Sequence, residues 1–192
     1  RGWIYPALLA LEKQVARVDG LWLSPSQALV CPRQRVLQIL RPYFVRLDYA
    51  WAALGGSAMH ARLAEVELEE AMWERCLTAN VAVEVAGALV PFPVRGTVDC
   101  YLPEKKLLLD VKTTSRVPQK PWLEHEIQIN LYRWLLEQNG YPVETAQIWY
   151  VGQGLRDGKV ERRLVTVKLF PPEELEQVIR DLVEPLARYR ET

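Results

Sequence analysis

Between residues 81 and 102 the stretch VAVEVAGALVPFPVRGTVDCYL alternates apolar and polar positions with a period of two, as a strand with one buried face does. A turn-forming segment, Pro103-Glu104-Lys105-Lys106, precedes the run KLLLDVK ending at Lys112. Three neighbouring strands are expected here, the middle one carrying Asp99 and the third Asp110 and Lys112. The pattern then changes: WLEHEIQINLYRWLLEQNG spaces Ile127, Leu131 and Leu135 four apart, a helix stopped by Gly140. TAQIWYVG and RRLVTVKLF read as two further strands, and PPEELEQVIRDLVEPLARY as a closing helix begun by proline.

Upstream of the strands, WLSPSQALVCPRQRVLQIL opens a helix that Ser24 can cap and Pro25 suits at its first position. Pro32 should end it, bend it or divide it in two. A second helix follows Gly55-Gly56, with Met59, Leu63, Val66, Trp73 and Leu77 on one stripe. The order is helices, three strands, helix, strand, strand, helix: an α/β fold with a mixed sheet flanked by helices.

Asp110 and Lys112 end an apolar run, where buried charge is costly. In a meander the middle of one strand lies beside the start or end of the next, so Asp99 and Asp110 can meet although eleven positions separate them. Two adjacent carboxylates repel, and a hard divalent ion such as magnesium relieves the repulsion while keeping some of its waters. Residues 110 and 112 share a strand face, and Val111 turns into the core. A metal-bound water and a nearby lysine would serve phosphoryl chemistry. Lys112 can be a base or an electrostatic stabiliser, and a plain Lys112–Asp110 salt bridge would use the same residues.

Composition narrows little. The 192 residues are 49% hydrophobic and 25% charged, with 24 basic and 24 acidic side chains, as in an ordinary single globular domain. Arg33, Arg35, Arg41 and Arg46 form an acid-free basic stretch, suited to phosphates or to a solvated helix face. Glu65, Glu67, Glu69, Glu70 and Glu74 read as a solvated helix surface. Cys31, Cys76 and Cys100 form no paired motif and read as reduced thiols, so a cytoplasmic location is expected. No apolar run approaches the length of a membrane span, and no signal peptide is visible. The chain begins with Arg1, as a processed product or a domain cut from a longer chain would.

The series Gly96-x-x-Asp99, Asp110-x-Lys112 and Gln128-x-x-x-Tyr132 resembles the PD-(D/E)xK nuclease superfamily, specifically its RecB-like branch. GSAMH supplies the upstream Gly-x-x-x-His pattern (Gly56 to His60), and SPSQALVCPRQ resembles the branch's opening motif. The resemblance runs from about Ser24 to Tyr150. It implies a restriction-endonuclease-like αβββαβ core at about 24–170, with a closing helix at 171–189, in one domain of 1–192. It further implies a Mg2+- or Mn2+-dependent deoxyribonuclease, an exonuclease in DNA repair, recombination or mobile-element defence. A non-catalytic DNA- or partner-binding module of a helicase–nuclease assembly is the alternative.

The same resemblance makes His60, Asp99, Asp110 and the Val111 carbonyl metal ligands, with Lys112 the catalytic lysine. Gln128 and Tyr132, one turn apart, would orient Lys112 or the DNA backbone. Thr113 and Thr114 match the small polar residues that often follow the lysine. Arg33, Arg35, Thr113, Arg116 and Lys120 are the expected DNA-binding positions, and the late hairpin adds Arg156, Lys159, Arg162, Arg163 and Lys168. Trp122 would stack on an unpaired base or serve packing. Glu84 reads as solvent-facing or as an acid near the metal, and His125, one turn before Gln128, as structural or as a member of the site. Gly96 marks a bulge or a close backbone approach. Some relatives, the CRISPR-associated exonucleases among them, bind an iron–sulfur cluster through one early and three late cysteines. Cys31 matches the early one, but none follows Cys100, so no such cluster is expected and Cys31 reads as a packed thiol.

Overall fold

The computed structural model describes residues 21–41, 56, 71–156 and 158–190. A single 3-10 turn, Pro25–Gln27, precedes helix α1 (Pro32–Leu40), so Pro32 divides the opening segment in two. Ser24 makes no side-chain cap; its hydroxyl lies 3.1 Å from that of Ser26. One 3-10 turn offers fewer free amides to cap than a full helix end.

Five strands follow: β1 (Met72–Val85), β2 (Ala88–Leu102), β3 (Leu107–Thr114), β4 (Thr145–Arg156) and β5 (Lys159–Thr166). Helix α2 (Leu123–Gln138) links β3 to β4, and α3 (Pro172–Arg190) closes the order. The sheet runs β1-β2-β3-β4-β5, antiparallel except for the parallel β3–β4 pair. A helical crossover is what a parallel pair requires.

Local chemistry explains the connections. Ala86 and Gly87 both have positive φ, 51° and 82°, forming the tight two-residue turn between β1 and β2. At the end of α2, Gly140 (φ 83°) lets Tyr141 N–H reach Leu136 O at 2.9 Å and its own N–H reach Glu137 O at 3.1 Å. Pro93 in β2 costs no ladder bond: this edge faces Leu23, whose N–H donates to Pro93 O at 3.0 Å and whose carbonyl accepts from Arg95 N–H at 2.9 Å.

The core lies between the sheet and helices α2 and α3. Leu108, Ala146 and Ile148 from the strands and Val167 just past β5 meet Leu131 and Leu135 of α2 and Ile179 and Val183 of α3. Asn130 of α2 is fully buried: its Oδ1 accepts from Phe170 N–H at 2.8 Å, and its Nδ2 donates to Glu126 O and Lys168 O at 2.9 and 3.0 Å. These bonds tie the β5–α3 connection to α2.

One expected element is corrected at its end, while Met59, Leu63 and Val66 of the same stripe lie outside the described residues. Trp73 and Leu77, placed on a helical stripe, stand on β1, where Trp73 pairs with Cys100 and Leu77 with Gly96. A spacing of four puts two side chains on one face in both a helix and a strand, so it does not distinguish the two. Cys31, expected to pack, is exposed at the start of α1, where Pro32 forces an extended approach.

Candidate active site

The β2–β3 ladder pairs Leu102 with Leu107, Tyr101 with Leu108 and Cys100 with Leu109, and then stops. The next pair in that register is Asp99 and Asp110, so the two acids face one another where the strands part. Asp99 Oδ2 accepts from Val111 N–H at 2.8 Å, a side chain standing in for the missing ladder partner. A strand residue's N–H and C=O lie on the same edge, so the Val111 carbonyl also faces this opening. Asp99 is 9% exposed and Asp110 1%. The Lys112 ammonium, on the same face of β3, bridges Asp110, 3.1 Å from Oδ1 and 2.8 Å from Oδ2.

The expected Lys112–Asp110 salt bridge is present, and Asp99 faces it where the strands part. Two buried carboxylates and a strand carbonyl are hard oxygen donors, the set magnesium or manganese takes, with waters completing the sphere. Asp99, Asp110 and Val111 O therefore fit such an ion. Among the described residues no three His, Cys, Asp or Glu side chains converge as a metal cluster. His60, the expected further ligand, lies outside the described residues. Gly56 is described and helical, and a β-carbon built on it would lie 3.7 Å from Thr113 Oγ1. The start of the Gly-x-x-x-His segment therefore lies alongside Thr113, next to Lys112.

Helix α2 roofs the site. Gln128 and Tyr132 are buried on its sheet-facing side, and Gln128 hydrogen-bonds the Tyr132 phenol. Burial, then the charge of Asp110, pushes that phenol well above its ordinary pKa, so it stays protonated beside the acids. Gly96 is explained by contact: a β-carbon there would lie 2.7 Å from Tyr132 Cε1 and 2.9 Å from Pro25 Cδ. The bare glycine lets the tyrosine ring lie against β2.

Three more residues flank the site, and of these the sequence reading names His125 as a possible member. Tyr150 pairs with Lys112 across β3–β4, and its hydroxyl lies 2.8 Å from His125 Nδ1. His125 is thus one turn before Gln128 on the site side of α2. Burial, and then the positive charge of Lys112, lowers its pKa to about 4, so the ring is neutral at neutral pH. Burial likewise raises Tyr150 to about 12, a hydrogen bond from the Trp122 backbone opposing it. The run HEIQINLY carried the spacing that marks His125, whereas Tyr150 could be found only through strand pairing. Glu74, grouped with a solvated helix surface, is on β1 with φ 46°, at the register position opposite Asp99. Its charge also reaches the Tyr132 phenol.

The expected DNA-contacting residues separate. Arg116 and Lys120 are exposed on the loop after β3, and Thr113 is half-buried beside Lys112. Arg33 is exposed on α1. Arg35 is 7% exposed with its guanidinium 5.9 Å from the centre of the Trp22 ring. Glu84 is exposed at the far end of β1, opposite Leu89.

No curated protein sequence matches this chain at a significant level. Solved structures do. SSO0001 superposes with a TM-score of 0.67 at 17% identity, covering 95% of this chain and 86% of that one. A phage-related exonuclease from Haemophilus somnus 129PT gives 0.52 at 16%, covering 89% and 94%. An alkaline exonuclease from Laribacter hongkongensis gives 0.52 at 10%, covering 95% and 93%. At such identities the likeness shows a shared fold. Sequence membership comes from residues 9–192, which match the PD-(D/E)XK nuclease superfamily. On that match the chain belongs to the PD-(D/E)XK nuclease superfamily, and its Asp99, Asp110 and Lys112 meet where the sheet opens.

Proposed function

We propose that the protein is a metal-dependent DNA nuclease of the cytoplasm, working as an exonuclease from its single domain. The observation that carries this is the placement of Asp99 and Asp110 at the first unpaired position of the β2–β3 ladder, with Lys112 on the same face. Family membership supports the hydrolytic reading, and two of the similar folds being exonucleases supports end-directed cutting.

Asp99, Asp110 and the Val111 carbonyl would hold Mg2+ or Mn2+, with His60 as a further ligand. A divalent ion there supplies a water of lowered pKa and neutralises charge on a phosphate oxygen. The protein's own groups do the rest. Lys112, held by Asp110, opposes negative charge that builds on the phosphoryl group. Gln128 and Tyr132 fix the wall above the acids, and Tyr150 with His125 fixes the wall beside Lys112. Arg116, Lys120, Thr113 and Arg33 would meet the DNA backbone, so binding should weaken steeply with salt.

End-labelled linear, covalently closed circular and single-stranded DNA, each incubated with and without Mn2+, test this reading. Linear DNA should be degraded from its ends only with metal, and closed circles should survive. DNA binding without cleavage in any metal would instead favour a non-catalytic module of the same fold within a helicase–nuclease assembly.

A further inference from the structure

The loop between β3 and α2 carries a feature that the catalytic acids do not need. Its last residue, Trp122, is 38% exposed. The indole is one of three rings in mutual contact, 5.2 Å from His125 and 6.0 Å from Tyr150, with His125 and Tyr150 5.6 Å apart. Tyr150 pairs with Lys112, so the cluster starts at the lysine and ends in an open indole.

The loop beneath is fixed on both sides. Thr114 Oγ1 donates to Arg116 O at 3.1 Å and accepts from Arg116 N–H at 3.3 Å. Arg163 of β5 donates to Pro118 O at 3.2 Å, and Val117 is buried. Pro118 and Pro121 restrict the backbone further. A large aromatic side chain is thereby held partly in water on a rigid support, with the exposed cations Arg116 and Lys120 on the same loop.

We propose that Trp122 is a stacking platform for an unpaired nucleobase next to the phosphate held at Lys112, which makes single-stranded or frayed DNA ends the preferred substrate. This rests on the nuclease reading above. A flat aromatic face accepts any base, so it selects for unpaired strands without selecting sequence. Bases inside a duplex are stacked on both faces and present none to the indole. The neutral His125 ring behind it adds apolar support without a competing charge.

Binding of a fluorescent single-stranded oligonucleotide tests the proposal, with Asp110→Asn as background to suppress cleavage. Trp122→Ala should weaken binding about 5- to 150-fold, the range of one lost base stack, while Trp122→Phe keeps it within about threefold. Affinity for a covalently closed duplex, which has no free base face, should be unaffected. One abasic position in the oligonucleotide should weaken binding by the protein with Trp122 intact and make no further difference in Trp122→Ala. Should Trp122→Ala fold poorly, Trp122→Leu, which keeps apolar bulk without a flat face, takes its place in the same comparison. Equal affinity of Trp122→Ala, equal abasic effects in both proteins, or no oligonucleotide binding at all overturns the platform. The wild-type protein cutting DNA while Trp122→Ala discriminates nothing would sink stacking and leave the nuclease standing. Binding with the predicted abasic pattern but no cleavage would do the reverse.

Discussion

Replacing Gly96 with alanine probes how the fold holds its site. The added methyl would sit 2.7 Å from Tyr132 Cε1, and 2.9 and 3.1 Å from Pro25 Cδ and Cγ. Carbon atoms rest comfortably at about 3.5–4.0 Å, so the methyl is close to an ångström short of room on two sides. Neither neighbour yields easily: Tyr132 is buried with its phenol bonded to Gln128, and Pro25 is a buried ring. Overpacking of this kind costs about 1–3 kcal/mol. Alanine recovers about 0.5–1 kcal/mol of chain entropy relative to glycine in a strand, which leaves a net loss of about 0–2.5 kcal/mol, and two contacts under 3.0 Å put it in the upper part of that range, about 1–2.5 kcal/mol. In a chain of this size that lowers the unfolding midpoint by roughly 2–10 °C. Calorimetry of Gly96→Ala, Tyr132→Ala and the double variant separates the cause, because removing the ring should cut the cost of the alanine. Metal-dependent cleavage at a temperature well below both midpoints should also fall, since Tyr132 is displaced above Asp110. An unchanged midpoint, or the same cost with and without the ring, would refute the reasoning.

Other expectations concern single side chains. Asn130→Ala leaves the Phe170 amide and two carbonyls without their buried partner. It should destabilise the protein by about 2–4 kcal/mol, read by urea unfolding, and an effect under about 0.5 kcal/mol would contradict the bonding. His125 has its pKa lowered on folding from 6.5 to about 4, so the unfolded chain binds more protons between those values. The stability this neutral ring contributes is present above pH 6.5 and is lost as the pH falls toward 4. His125→Gln should therefore flatten the decline of the unfolding midpoint between pH 7 and 4.5, and parallel declines would contradict it.

The sequence was most legible where one pattern admitted one structure. The hairpin ending at Lys112, the helix from Leu123 and the late strands all follow from periodicity and turn chemistry. Legibility failed where spacing was degenerate, as with Trp73 and Leu77, which share a face in either element. It failed again where tertiary pairing decides the role. Tyr150 lies in an ordinary strand pattern, and only the parallel β3–β4 register brings it to Lys112. Glu74 reads as one more glutamate of a charged run until β1 places it opposite Asp99. Arg35 belongs to a basic stretch in sequence, and the fold sets its guanidinium over the Trp22 ring.

The most direct test is single-turnover cleavage of end-labelled DNA with Mn2+ by the wild-type protein, Asp110→Asn and Lys112→Ala, compared at equal folded fraction. The account predicts loss of at least about a hundredfold in each variant, the scale of removing one transition-state stabiliser. Full activity in either would show that hydrolysis does not depend on the group formed by Asp99, Asp110 and Lys112.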